Sequence, residues 1–107
     1  AYQPILPSIE PVTAAWRKGS PATVRLWAIN DTWSACDACH LTWRITQNGR
    51  PLAKGETTLT LPADSGSRVK EITVTPASGG EATIEYRIED KTGKTVGHNQ
   101  RVEAVGQ

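Results

Sequence analysis

The stretch ATVRLWAINDTWSACDACHLTWRI, from Ala22 to Ile45, reads as strand, loop, strand and carries three of the four tryptophans and both cysteines. Val24, Leu26 and Ala28 alternate with Thr23, Arg25 and Trp27, which suits a strand with one face buried and one facing water. Asn30-Asp31-Thr32 breaks the pattern, because Asn and Asp side chains bond the backbone just ahead and favour turns over ladders. Alternation resumes at Leu41, Trp43 and Ile45, with Thr42, Arg44 and Thr46 on the other face. A large aromatic centred in such a strand is a natural keystone between two packed sheets. The rest of the chain reads as further strands laid around this pair.

Upstream, prolines at 4, 7 and 11 remove ladder donors, so the first eleven residues fit an edge strand or an extended lead-in. Val12 to Trp16 is a candidate continuation before the turn Lys18-Gly19-Ser20-Pro21. Trp16 either covers one end of the core or lies on the surface. Downstream, Asn48-Gly49 is the strongest hairpin signal, since both central residues of a type I′ turn need positive φ. It returns the chain through Leu52 to Leu61, with Gly55 as a candidate bulge. Residues 62–67 are a loop by composition. In Arg68 to Thr75 the odd step from Val69 to Ile72 predicts a bulge that swaps faces. After the turn cluster at 76–80, Ala82, Ile84, Tyr86 and Ile88 alternate cleanly with Thr83, Glu85, Arg87 and Glu89. Lys91 to Lys94 turns the chain into a last strand near Thr95 to Val105. About seven strands separated by turn clusters every ten or so residues are the signature of an immunoglobulin-like antiparallel β-sandwich. The core is expected to hold Val24, Leu26, Leu41, Trp43, Ile45, Ile84, Tyr86 and Ile88.

A chain of 107 residues has room for one domain with one core. Hydrophobic residues make up 37% and Phe and Met are absent, a lean composition that fits strands buried on one side only. Net charge is +1, which gives no electrostatic reason for nucleic acid or an anionic membrane as partner. No apolar run is long enough for a membrane-spanning helix, and the opening AYQPILPSIE is not a secretory signal. Without an initiating Met, the chain is expected to be a processed product or a piece of a longer protein.

Cys36-Asp37-Ala38-Cys39-His40 has the form of a c-type haem attachment site, in which two thioethers hold the porphyrin and the His ligates iron. That would make the chain a small electron-transfer protein. The surroundings argue against it. There is no Met, only His98 as a second histidine, and a β-patterned strand follows directly where an apolar helical wrap is needed. Zinc held by Cys36, Cys39, His40 and His98 would lack a second close ligand pair. The remaining readings are a local disulfide between Cys36 and Cys39, or two free thiols. No cofactor and no metal are expected. Catalysis finds no foothold either. No Ser occupies a nucleophile elbow, no glycine loop precedes a helix, and the acids sit on outward strand positions or in turns. No residue is assigned as catalytic.

The run VRLWAINDTWSACDACHLTWRITQNGRPLAKGETTLTLPADS resembles the accessory β-sandwich at the C-terminal end of family-two glycoside hydrolases, of the β-mannosidase and β-galactosidase type. The resemblance is carried by Ile29-Asn30-Asp31-Thr32, Trp43-Arg44-Ile45, Asn48 to Leu52 and Leu61 to Ser65. It extends to Tyr86 to Asp90, Gly93 and Val96 to Asn99, and to the lead-in Pro4 to Glu10. It departs at Cys36 to His40, where the family loop usually carries no such cysteines. The resemblance implies a non-catalytic accessory domain that packs against or spaces the other domains of its parent polypeptide. The family's catalytic glutamates lie in a preceding barrel, so none maps here. It also implies a parent acting on O-glycosyl bonds in carbohydrate metabolism. A parent class that is often exported tilts the cysteines toward a bridge and the compartment toward periplasm or exterior.

A candidate surface remains. Trp27 faces away from the core positions of its strand and Trp33 lies in the loop beyond. With Arg25, Asn30 and Asp31 they form either a platform for an oligosaccharide, whose rings stack on aromatics while polar groups take the hydroxyls, or an interface for a neighbouring domain.

Overall fold

The computed structural model describes residues 4–107. Eight strands follow in order: β1 (Ile5–Pro11), β2 (Trp16–Arg17), β3 (Ala22–Asn30), β4 (Cys36–Gln47), β5 (Arg50–Leu61), β6 (Ser65–Val74), β7 (Gly80–Glu89) and β8 (Thr95–Gly106). They build a three-stranded sheet, β1-β3-β6, and a five-stranded sheet, β2-β8-β7-β4-β5. Every ladder is antiparallel except the two-residue parallel contact of β2 with β8. The arrangement is an immunoglobulin-like β-sandwich, and the strand not foreseen from the sequence is the short β2.

β3 and β4, the two strands marked by this alternation, lie in opposite sheets. All eight expected core residues are buried, joined by Ile5, Ile9, Trp16, Leu61, Ile72 and Val105. Trp43 sits across the ladder from Gly55. Its indole occupies the space where a side chain at 55 would begin, since a Cβ there would lie 2.7 Å from the ring. The expected bulge at Gly55 is therefore a packing contact instead. The register of β4 with β5 shifts nearer the turn, where Ile45 pairs with Ala53 and Thr46 with Pro51, skipping Leu52. The bulge near Val69 is present: Leu26 pairs with Lys70 and Trp27 with Arg68.

Asn48 and Gly49 have φ of 52° and 75°, as a type I′ hairpin requires. β1 is an edge strand, where its prolines cost no central ladder bond. Val12 to Trp16 does not continue it. The amides of Val12 and Thr13 both reach the Thr23 carbonyl, at 3.0 and 3.2 Å, and the chain then crosses to the larger sheet. There Trp16 pairs with Val105 and is buried to 2% exposure. Trp16 thus covers one end of the core, beside the Asn48-Gly49 hairpin. The β3–β4 loop, the β5–β6 loop and the cysteines lie at the other end.

Candidate functional site

Cys36 and Cys39 are joined in a disulfide, with Cα atoms 5.7 Å apart. In the ladder Cys36 pairs with Leu61 and Cys39 with Leu59, so Asp37 and Ala38 bulge out between them and Ala38 takes a φ of 52°. Both sulfurs are committed to each other, so neither is available for a thioether or a metal. His40 turns outward, with Nδ1 3.1 Å from Thr58 Oγ1 and Nε2 3.7 Å from a Glu56 oxygen. The C-x-x-C-H pattern is a clamped bulge at the start of a strand. Among the described residues no group of three or more His, Cys, Asp or Glu is placed to hold a metal ion.

Arg25 and Trp27 lie on the outer face of the three-stranded sheet. Trp27 Nε1 donates to Glu10 Oε1 at 2.9 Å. Arg25 lies between two carboxylates, 3.4 Å from Glu10 and 3.2 Å from Glu71. These side chains are already engaged across β1, β3 and β6. Further along the same face Leu6 pairs with Ile29. Both are exposed, at 49% and 38%, because odd positions of β3 point away from the core.

Asn30 is not part of the surface. It is 1% exposed, and its amide holds the turn that follows. Nδ2 donates to the carbonyls of Ser34 and Leu61, at 3.0 and 3.1 Å. Oδ1 accepts from the Thr32 amide at 3.2 Å and the Thr32 hydroxyl at 2.6 Å. The Asp64 amide bonds the Thr32 carbonyl at 3.1 Å, which ties the turn to the β5–β6 loop. The expected five-residue platform thus divides. Arg25 and Trp27 lie on the sheet, Asn30 is a buried brace, and Asp31 and Trp33 stand exposed on the braced turn. Trp33 is 99% exposed. An indole in water on every side is a knob rather than a plate resting on the protein.

The exposed pair Leu6 and Ile29 was not singled out from the sequence. The signal was present in Trp27 and Ile29, two large apolar residues on the outward alternation of one strand. A second feature that only the register reveals is a groove on the outer face of the five-stranded sheet, lined by charged side chains of β4, β5 and β7. No helix of the described residues is long and apolar enough to cross a membrane.

Fold and surface together define an immunoglobulin-like β-sandwich module. Residues 22–101 match the family described as the Mannosidase Ig/CBM-like domain, and the chain belongs to that family. No curated protein sequence matches it. Among solved structures it is similar to Spo0M, a sporulation control protein from Bacillus subtilis, at 9% identity and a TM-score of 0.63. That alignment covers 99% of this chain and 51% of Spo0M, so the chain spans about half that structure. At this identity the likeness concerns fold alone.

Proposed function

We propose that the chain is a non-catalytic accessory domain of a glycoside hydrolase of the β-mannosidase or β-galactosidase type, which packs against the other domains of its parent polypeptide or spaces them. The observation that carries this reading is Trp33. Burying a Trp removes about 150–250 Å2 from water, and an isolated chain gains nothing by bracing one in full exposure. Trp is the residue most enriched among the few that dominate protein interfaces, and a rigid turn lowers the ordering cost of docking. Leu6 and Ile29 supply further exposed apolar surface on the three-stranded sheet. Family membership supports the parent class, and the disulfide supports an oxidising compartment, periplasmic or secreted.

Two measurements test it. The pure chain should not turn over aryl β-mannosides or β-galactosides, and turnover would refute a purely accessory role. In the intact parent, Trp33→Ala should lower the melting temperature or loosen the domain, as read by limited proteolysis. Unchanged behaviour there would sink the docking surface.

A second reading is a carbohydrate-binding module using Trp27 and Trp33, favoured by the open faces of the Trp33 ring. Tryptophan fluorescence with mannan, galactan and chitosan oligosaccharides separates the two. A saturable shift lost in Trp33→Ala supports binding, and no shift with any glycan leaves docking.

A further inference from the structure

The outer face of the five-stranded sheet carries a groove of about 600 Å3, within the range of small-molecule sites. Its lining includes Thr42, Arg44, Lys54, Glu56, Glu85 and Arg87. The register sets these in two rows. In one, Lys54 is directly opposite Arg44, which is opposite Glu85. In the next, Glu56 is opposite Thr42, which is opposite Arg87. Like charges directly opposite on a sheet are destabilising. The other sheet of this molecule avoids that pairing, with Arg25 placed between Glu10 and Glu71. Here Arg44 reaches both Glu85 oxygens, at 3.3 Å each, and Glu56 faces His40. Lys54 and Arg87 are left without an ion-pair partner among the described residues. A face serving only solubility would alternate its signs across the rows.

We propose that this groove binds a saccharide bearing a carboxylate, a uronic acid unit. Lys54 and Arg87 take the carboxylate through charge-assisted hydrogen bonds, which are the stronger kind. The Thr42 hydroxyl and the carboxylates of Glu56 and Glu85 accept from the sugar hydroxyls. The mixture of cations with carboxylate acceptors suits a hydroxylated anion better than a bare one, since a bare anion offers Glu56 and Glu85 no hydroxyl to accept from. The site lies on the sheet opposite to the Leu6–Ile29 face, and it does not depend on the docking role of Trp33.

The test is isothermal titration calorimetry of the chain at low salt. The probes are tetragalacturonate, mannotetraose, inorganic sulfate and a short polyglutamate peptide. Saturable binding of tetragalacturonate alone is expected, weakened by about tenfold or more in Arg87→Gln and in Lys54→Gln, as loss of a charged hydrogen bond implies. Both side chains are exposed and lack an ion-pair partner among the described residues, so the variants should keep the parent's circular dichroism and melting temperature. Trp33→Ala should bind as the parent does. Equal binding of mannotetraose would overturn the carboxylate requirement. Equal binding of sulfate would reduce the site to a plain anion patch, and equal binding of polyglutamate would make it a surface for acidic protein. No binding of tetragalacturonate, or binding that neither substitution alters, would overturn the proposal outright.

Discussion

Trp16 and Trp33 stand at opposite ends of the sandwich and behave as opposites. Trp16 is 2% exposed and closes the core where β2 meets β8, while Trp33 is 99% exposed on a turn beyond β3. Each is placed by a short irregular segment rather than by a long strand. The segment before Trp16 turns its ring inward, at the cost of an indole Nε1 with no hydrogen-bond partner among the described residues. The segment around Trp33 invests four hydrogen bonds of a buried Asn in holding its ring outside. Where the chain needs apolar burial for itself, it accepts an unsatisfied polar atom. Where it displays an aromatic, it satisfies every polar group of the brace. The difference separates a residue that serves the fold from one that serves something outside it.

The largest expected effects belong to the buried tryptophans. Trp43→Ala should cost about 3–5 kcal/mol, a large share of what a small domain has. Trp16→Ala should cost a comparable amount if the closed end is part of the cooperative core. Urea unfolding of both variants is the check. A midpoint for Trp16→Ala within error of the parent would show that this end contributes nothing, and would break the contrast. Tyr86 adds a subtler point. Its hydroxyl is buried without a partner among the described residues, and burial pushes its ionisation well above the usual tyrosine range, so it stays neutral at any working pH.

Next in size is Asn30→Ala. It removes the side-chain donor to the buried Leu61 carbonyl, leaves the Ser34 carbonyl with only the Thr32 hydroxyl, and should cost about 1–3 kcal/mol. The same variant should raise hydrogen exchange at the amides of Thr32 and Asp64. Stability lost without faster exchange in the turn would mean that Asn30 supports the core and not the display of Trp33.

Much of this was legible in the sequence, and the failures share one cause. Strict alternation identified β3, β4 and β7 with their core residues, because period-two burial is written directly in residue order. Asn48-Gly49 fixed its hairpin because only a few residues tolerate positive φ at both positions. The role of Asn30 was not legible. An Asx turn is expected at Asn-Asp-Thr, but whether the amide faces water or lies beneath the loop depends on Leu61, thirty-one residues away. The facing of Lys54 on Arg44 likewise exists only once the skip at Leu52 sets the register. Gly55 read as a bulge because a strand glycine commonly marks one, whereas here it admits the ring of Trp43.

Asp90 repeats the local device of Asn30 at the same end of the molecule, but in water. Its Oδ1 accepts from the Thr92 hydroxyl and amide and from the Lys94 amide. The Thr92 hydroxyl bond foremost, then the amides and the nearby Lys94 charge, hold the carboxyl below its ordinary 3.8. A lowered folded-state value means the stabilisation is fully present above the unfolded-state value. It is lost as pH falls through the folded one. Asp90→Asn removes the charge, so it should lower the melting temperature slightly at neutral pH, converge on the parent below the folded-state value, and so flatten the acid limb of melting temperature against pH between those two values. An unchanged acid limb would show that the exposed turn contributes nothing measurable.

The smallest expected effect is the most informative. Trp33→Ala in the isolated chain should leave the urea midpoint unchanged, because the ring touches nothing that folding must organise. Surface substitutions away from caps and networks usually fall within about 0.5 kcal/mol. The brace is made by Asn30 and Thr32 with the backbones of Ser34, Leu61 and Asp64, so none of its bonds uses the indole. Solubility should improve, since a bare indole promotes self-association at high concentration. A loss approaching that of Trp16→Ala would show that Trp33 folds back onto the sandwich in solution, and the two ends of the molecule would then be alike. Neutrality in the isolated chain combined with a loss in the intact parent is the pattern that only an outward-facing contact produces, and it assigns the ring to the partner rather than to the fold.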